Sequence, residues 1–220
     1  MDSGYQYRPP APQGQQQPMR RRHGSLHMTF TLIAINVVVF LVTLFLPERT
    51  YASLGLSTWS LRAGHWWTIL TSMFMHSGFD HIGNNMLTLL FLGTQLEGRL
   101  GERRYLTLYL ASGVFAGLFF CLVNYLMGGF SYAVGASGAI FGLFGAFGFM
   151  IWRNHMLHGR HDGSPVTEIQ LGIYLFMLGE NVLYGLMASN VANSAHLGGL
   201  IAGFLIMRSL VGDDLSGLRR

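Results

Sequence analysis

Six apolar runs separated by short polar stretches dominate the sequence of this chain. A helix needs about 20 mostly apolar residues to cross a bilayer, so runs of this length predict membrane-spanning helices. All six prolines lie outside the runs, which removes the strongest helix breaker from them. The runs, called the first to the sixth below, extend from Met28 to Leu46, Ile82 to Leu96, Tyr105 to Met127, Ser137 to Trp152, Ile169 to Ala188 and Ala195 to Leu210.

We therefore predict an all-α membrane protein with a six-helix membrane domain over residues 28–212. The second, fourth and sixth runs are shorter than a full span, so we expect these helices to begin inside the protein. Residues 1–27 are rich in Gln, Pro and Gly and predict a disordered tail, and residues 213–220 form a short C-terminal tail. A signal peptide is the alternative for Arg20–Leu46, but this apolar run is too long and no small-residue cleavage site follows it.

Composition agrees with a membrane protein and the arginines orient it. Half of the residues are hydrophobic and only 11% are charged, and all fourteen basic residues are arginine. If the N-terminus is cytoplasmic, only Arg49 and Arg62 among the arginines near the runs face outside. The positive-inside rule therefore predicts cytoplasmic N- and C-termini, and we expect a multi-pass protein of the cell membrane, the bacterial inner or plasma membrane.

Other classes of function are disfavoured by the same composition. The net charge of +4 comes from arginines scattered between apolar runs, which does not suit nucleic-acid binding. The single cysteine, Cys121, cannot form a disulfide within the chain. His155, His158 and His161 are spaced by three, but no acidic or thiol group accompanies them, so we predict no metal site and no cofactor.

The predicted topology places polar residues of three runs at one depth. The second, fourth and sixth runs all start on the outer side, and His81 with Asn85, Ser137, and His196 lie near these starts. Polar groups in hydrocarbon are costly unless they satisfy one another. A serine and a histidine together suit acyl transfer, since one attacks a carbonyl and the other removes its proton.

Small residues recur on the runs that carry the serine and the histidine. This spacing lets two helices approach closely, although by itself it is ordinary helix packing. With the common depth, it predicts a hydrogen bond between Ser137 and His196. The small residues are Gly138, Gly142, Gly145 and Ala146 in the fourth run, and Ala195, Gly199, Ala202 and Gly203 in the sixth.

Oxyanion donors and a group to orient the imidazole complete the candidate site. His81 and Asn85 stand four apart on one helical face and, with the backbone N–H of Ser137, are candidate donors. The alternative is that they only bond neighbouring helices, which is the role we expect for Asn84. No carboxylate lies at the depth of His196, because Glu180 is roughly mid-span; Phe141, one turn after Ser137, is placed to stack on the ring.

These residues resemble the rhomboid intramembrane serine proteases. The resemblance covers roughly Trp66 to Gly203 and implies a six-helix rhomboid-like bundle. It rests on four motifs in the same order on a six-helix background, a combination that is specific, whereas any one motif alone would be weak. The motifs are His76 to Asn85 (HSGFDHIGNN), Glu97 to Arg99 (EGR), Gly135 to Gly138 (GASG) and Ala195 to Gly199 (AHLGG).

The resemblance implies Ser137 as nucleophile, His196 as general base, and oxyanion support from His81, Asn85 and the Ser137 backbone. It also implies that Gly135 belongs to the loop before the nucleophile. His76 would structure the cavity, and Glu97 with Arg99 would be a pair that fastens the inner end of the second helix.

Two positions depart from the family's pattern. The family usually has tyrosine where this chain has Phe141, so a ring that stacks on His196 lacks its hydroxyl. It often has Trp-Arg where this chain has Trp67-Thr68, which puts the anchoring of the outer loop in doubt. Glu180 has no counterpart in the family's motifs.

The function that these residues predict is an intramembrane serine endopeptidase with a Ser-His dyad. Its partners would be the lipid bilayer and transmembrane protein substrates, cleaved in or near their membrane helix. One alternative is a catalytically inactive rhomboid-like protein that binds transmembrane helices. Another is a small channel or transporter, which fits less well because the polar groups gather at one depth.

Overall fold

The computed structural model describes residues 26–158, 165–187 and 192–211, and its regular elements in these ranges are helices. The one β-bridge described there joins Leu56 to Ala133. The all-α prediction is therefore confirmed for this part of the chain. The α-helices are α1 (His27–Thr43), α2 (Arg49–Leu54), α3 (Thr58–Arg62), α4 (Thr68–Thr71), α5 (Phe79–Leu100), α6 (Glu102–Leu126), α7 (Ser137–His158), α8 (Pro165–Met187) and α9 (Asn193–Val211), with a 3₁₀ turn at Ser72–Phe74.

One described helix, α6, is long and apolar enough to cross a membrane by length and composition. Three shorter apolar helices occupy His27–Thr43, Ser137–Arg153 and Leu171–Met187. The count of six spans thus stays a prediction. The predicted tails, residues 1–27 and 213–220, lie outside the described residues except for His27 and the residue before it.

Each predicted run corresponds to one long helix, but the helix ends differ. Helix α5 begins at Phe79, three residues before the apolar run, so His81 lies in its first turn. Helix α7 continues past Trp152 to His158, because no breaker stands before the glycine that follows. Proline at the first position of α8 suits a helix start, since proline lacks a backbone N–H and an N–H at this position would have no intrahelical acceptor.

The long connection between α1 and α5 folds back on itself through side-chain hydrogen bonds. The indole N–H of Trp67 donates to the carbonyl of Ser53 at 2.9 Å, and the hydroxyl of Thr68 donates to that of His65 at 2.6 Å. The hydroxyl of Thr71 reaches the carbonyl of Leu54 at 2.8 Å. Threonine at position 68 therefore anchors this connection locally without the arginine of the related pattern.

Helices α7 and α9 pack with their backbones in contact. A Cβ at Gly199 would clash with the carbonyl of Gly138, and a Cβ at Gly203 would clash with the carbonyl of Gly142. The predicted close approach at small residues is confirmed, and it holds the starts of both helices together. We call the end of the bundle where α7 and α9 begin the site end.

Glu97 and Arg99 fasten the opposite end of α5 to separate partners. The fully buried carboxylate of Glu97 accepts from the backbone N–H groups of Met28 and Thr29 at 2.9 and 2.8 Å, and from the Thr29 hydroxyl at 2.6 Å. It therefore caps the start of α1, where N–H groups lack intrahelical partners. The guanidinium of Arg99 donates to the carbonyl of Gln95 and lies over the ring of Phe147. The two residues thus hold this end of α5 through separate contacts, Glu97 on α1 and Arg99 on the Phe147 ring of α7.

Replacing Gly203 with alanine tests the contact between α7 and α9. The added methyl group meets backbone atoms of Gly142, which cannot rotate away, so we expect a loss of about 1–3 kcal/mol in the free energy of unfolding. Thermal unfolding in detergent micelles measures this as a drop of several degrees in the midpoint.

The matched control is Gly179→Ala on α8, where nothing lies within 4 Å of the added carbon. Alanine favours the helix over glycine, so this control should keep or raise the unfolding midpoint. Equal midpoints for the two variants would contradict the packing described here.

Candidate active site

Ser137 and His196 meet at the site end. Ser137 is the first residue of α7 and His196 lies in the first turn of α9. The Oγ of Ser137 is 2.9 Å from Nε2 of His196, although the two are 59 residues apart in sequence. The predicted hydrogen bond is present. When Nε2 carries no proton, the serine hydroxyl donates this bond, which is the arrangement that a nucleophile and its base require.

The imidazole of His196 is held by an aromatic ring. The ring of Phe141 stacks on it with centroids 4.1 Å apart and planes 8° from parallel. Phe141 is itself buried and lies one helical turn after Ser137. The stacking predicted from the sequence is therefore present, and it keeps the imidazole plane aligned with the serine without a carboxylate.

Gly135 brings the backbone before the serine against α5. Its φ of +124° lies where residues with a side chain are strained. A Cβ at this position would be 2.8 Å from Nε2 of His81 and 3.6 Å from the amide nitrogen of Asn85. The loop before Ser137 thus lies directly on the two side chains predicted as oxyanion donors.

Three N–H donors converge on this region. The amide nitrogen of Asn85 is buried and has no hydrogen-bond partner among the described residues. A buried donor without a partner is costly, which suits a group that a ligand satisfies. Nδ1 of His81 is 3.1 Å from the hydroxyl of Ser77, which leaves Nε2 toward Gly135. The N–H of Ser137, at the first position of α7, lacks an intrahelical acceptor.

His76 lies behind His81. The two rings meet edge to face with centroids 5.1 Å apart, and His76 is fully buried. Burial, followed by the nearby His81, lowers the pKa of His76 to about 3, and a backbone hydrogen bond involving Phe74 partly opposes the shift. His76 is therefore neutral near pH 7 and supports His81 by packing.

A cavity of about 200 Å³ opens at the dyad. It has room for several water molecules, and both the dyad and the side-chain donors face it. Its lining residues are Ser77, His81, Asn84, Asn85, Tyr132, Ala133, Val134, Ser137, Asn181, Tyr184, Ala192 and His196.

Two further cavities differ from this one in size and lining. A space of about 30 Å³ adjoins Ser137 on the side of Gly135 and Gly138, with mostly small residues around it. A larger cavity, about 680 Å³, lies between α7, α8 and α9 away from the dyad. Its walls are mostly apolar, and the polar side-chain groups among them belong to Trp152 and to Tyr174, whose hydroxyl donates to the Phe144 carbonyl. Of these three cavities, the one of about 200 Å³ is the one that both Ser137 and His196 line.

Several residues that line the cavity, among them Tyr132, Tyr184 and Asn181, were not indicated by the sequence, and Asn181 is the one that bonds a predicted residue. The amide of Asn84 donates to Oδ1 of Asn181 at 3.3 Å, so Asn84 bonds a neighbouring helix as expected. Asn181 also donates to the carbonyl of Met177 at 2.9 Å and to Oε2 of Glu180 at 3.1 Å. An amide within an apolar run was the available signal, although the helical face it occupies depends on packing.

The three histidines considered as a metal cluster, His155, His158 and His161, have side chains outside the described part of the structure. His161 lies outside the described residues, and the side chains of His155 and His158 are not described. Among the described residues, no group of three potential metal ligands occurs.

The sequence of this chain is similar to a protein family and to several curated proteins. Residues 63–212 match the family model described as Rhomboid domain. The chain is 32% identical over 198 residues to the Rhomboid protease GluP of Bacillus subtilis (strain 168), which covers 86% of this chain and 36% of GluP. It is 33% identical over 183 residues to the Putative rhomboid protease YdcA of the same organism, covering 82% of this chain and 80% of YdcA. It is 30% identical over 205 residues to the Rhomboid protease AarA of Providencia stuartii, covering 83% and 72%. The chain thus spans about a third of GluP and most of the other two.

Replacing Gly135 with alanine tests the donor arrangement. The methyl group would lie 2.8 Å from the His81 ring, and the positive φ adds strain of about 1–3 kcal/mol. We expect the rate constant for reaction of Ser137 with a fluorophosphonate to fall by about 10–100-fold, because its phosphoryl oxygen needs the same donors.

The control is Gly128→Ala, which also has a positive φ of +66° but nothing within 4 Å of the added carbon. It should bear a smaller backbone strain, because a φ of +66° lies in the left-handed region that side chains tolerate at a cost, and it should keep the reaction rate. A rate loss of the same size in both variants would contradict the role given to Gly135.

Proposed function

Because the chain belongs to the rhomboid family, we propose that it is an intramembrane serine endopeptidase acting through a Ser137–His196 dyad. Rhomboid proteases act on membrane proteins within the bilayer. The substrate bond would lie in or near the transmembrane helix of another protein. The single observation that carries the proposal is the 2.9 Å contact between Oγ of Ser137 and Nε2 of His196.

The proposed architecture is a six-span bundle of α1 and α5 to α9. Each of these helices matches one apolar run, and together they form the long helices of the described chain. The arginine distribution supports cytoplasmic termini, so the site end would lie near the outer face of the membrane. The membrane domain would occupy residues 28–212 between a cytoplasmic N-terminal tail and a short C-terminal one.

In the first chemical step, His196 removes the proton of the Ser137 hydroxyl while Oγ attacks the substrate carbonyl carbon. The oxygen of that carbonyl becomes negative and accepts hydrogen bonds from the Ser137 N–H, the Asn85 amide and Nε2–H of His81. When the C–N bond breaks, His196 returns the proton to the leaving amine. Ser137 is left as an ester with the N-terminal part of the substrate.

In the second step, water hydrolyses the ester. His196 removes a proton from a water molecule, the hydroxide attacks the ester carbonyl, and the proton returns to Oγ of Ser137. The cavity of about 200 Å³ beside the dyad is large enough to supply that water inside a membrane domain.

Phe141 takes over one role of the missing acid. In a full triad, a carboxylate orients the imidazole and stabilises its positive charge. The stacked ring of Phe141 can orient the imidazole of His196. Its π face can stabilise the positive charge of the imidazolium only weakly. We infer that the dyad turns over more slowly than a triad with a carboxylate.

Substrate choice follows from helix geometry and from the small cavity at Ser137. A helical backbone keeps its carbonyls in hydrogen bonds, so the substrate must unwind before Ser137 can attack. The space of about 30 Å³ beside Gly135 and Gly138 suits a small side chain. Both features favour substrates with small or helix-breaking residues near the outer membrane face.

Serine labelling together with substrate cleavage tests the proposal. We expect a fluorophosphonate to label the wild-type protein, and a model single-span substrate to be cleaved by it in liposomes. Ser137→Ala and His196→Ala should each lose both activities, since nucleophile and base act as a unit.

The control is Ser131→Ala, an exposed serine in the loop before the site. It should keep both activities. Labelling of Ser137→Ala at the wild-type level would contradict the proposed nucleophile. A correctly folded wild type that is never labelled and never cleaves would favour the inactive, helix-binding alternative.

A change in the side chain next to the cleaved bond tests the small cavity. Leucine in place of alanine on the acyl side should lower kcat/KM by about 10–100-fold, because forcing extra carbon atoms into a packed space costs about 1–3 kcal/mol. A glycine or proline a few residues away should raise the rate by easing unwinding. Equal cleavage of alanine and leucine substrates would contradict this preference.

A further inference from the structure

Glu180 is a carboxylate in an apolar helix. It lies within the apolar segment Leu171–Met187 of α8, and its side chain is exposed. An ionisable residue at membrane depth is expensive and points to a function by default. The dyad, the oxyanion donors and the capping of α1 do not use it.

Few described groups compensate this carboxylate. Among the described residues, the hydrogen bond that reaches it comes from the neutral amide of Asn181, at 3.1 Å. A carboxylate offers about four acceptor positions, so most of this capacity stays open. No arginine within the described ranges forms an ion pair with Glu180.

A chain of hydrogen bonds links Glu180 to the cavity at the dyad. Asn181 donates to Glu180 and accepts from Asn84 on α5. Asn84 and Asn181 both line the cavity that holds Ser137 and His196. Glu180 is therefore the sequence neighbour of a residue in the cavity wall, and its own side chain is exposed.

We propose that Glu180 is a specificity-determining residue that binds a basic side chain, lysine or arginine, of the substrate. The inference rests on the proposed function, because it concerns a polypeptide whose backbone occupies the cavity at Ser137. A basic residue in a membrane helix is as costly as an acidic one, and pairing the two lowers both costs. The basic residue would lie within a few positions of the cleaved bond.

Glutamine at position 180 isolates the charge. It keeps the size of the side chain and an oxygen that accepts from Asn181, so the links from Asn181 to Asn84 and to the carbonyl of Met177 need not change. If the role of Glu180 is purely structural, Glu180→Gln should change the cleavage of every substrate by the same factor. A role in recognition would affect only substrates with the basic residue.

The experiment uses the full chain in proteoliposomes and one single-span substrate scaffold. Lysine, glutamine or glutamate is placed in turn at each of about six positions on both sides of the cleaved bond, which covers about 9 Å of helix each way. Cleavage is measured as kcat/KM. Binding to the Ser137→Ala variant is measured in parallel, because it does not depend on chemistry.

At one position or two neighbouring ones, we expect the wild type to prefer lysine over glutamine by about tenfold, the size of one charge-assisted hydrogen bond. Glu180→Gln should lose this preference and cleave the glutamine substrate at the wild-type rate. Glu180→Lys should prefer the glutamate substrate at the same position. The control is Glu48→Gln, an exposed glutamate outside the cavity, which should keep the lysine preference.

Other outcomes overturn the inference. An equal loss for all substrates in Glu180→Gln, or a lysine preference that persists in it, would exclude recognition by this carboxylate. Binding separates this result from failure of the proposed function. If Ser137→Ala binds the lysine substrate more tightly than the glutamine substrate but the wild type never cleaves, the inference stands and the protease proposal falls. If the wild type cleaves but shows no preference for lysine in binding or cleavage, the protease proposal stands and the inference falls.

Discussion

The contact between the backbones of α7 and α9 is the constraint on which the site depends. Gly199 and Gly203 of α9 lie against the carbonyls of Gly138 and Gly142 of α7, and Gly145 of α7 lies against the carbonyl of Leu200 of α9, so the two backbones touch. Since Ser137 and His196 stand at the starts of these helices, their side chains meet at 2.9 Å. The distance between Ser137 and His196 is therefore set by helix packing, and a bulkier residue one or two turns away would change this distance as well as the stability.

Some polar side chains hold helices together, whereas one buried donor lies beside the cavity at Ser137. Glu97 caps α1 with all of its observed bonds directed at Met28 and Thr29, and Asn84 bonds Asn181 across α5 and α8. The amide of Asn85 is buried without a partner among the described residues. An unsatisfied donor beside Ser137 costs stability, and its position at the proposed oxyanion gives that cost a functional reason.

Two departures from the related pattern leave the geometry intact for different reasons. Phe141 lacks the hydroxyl of a tyrosine, but stacking needs only the ring, and the ring lies 4.1 Å from His196. Thr68 lacks the charge of an arginine, but its hydroxyl and the indole of Trp67 anchor the connection through backbone carbonyls. The contact between the Phe141 and His196 rings and the hydrogen bonds of Thr68 and Trp67 are therefore retained, because none of them needs the missing group.

The sequence by itself determined the long helices, the shared face of His81 and Asn85, and Phe141 one turn after Ser137, because these depend on helical periodicity within one segment. The small residues also predicted the close approach of α7 and α9. Only the tertiary structure decided that Glu97 caps α1, that Gly135 lies on His81, and that Asn181 reaches the cavity. The physical reason is that an apolar pattern in lipid does not encode how each helix is rotated about its axis or which neighbour it meets; packing between distant segments decides both.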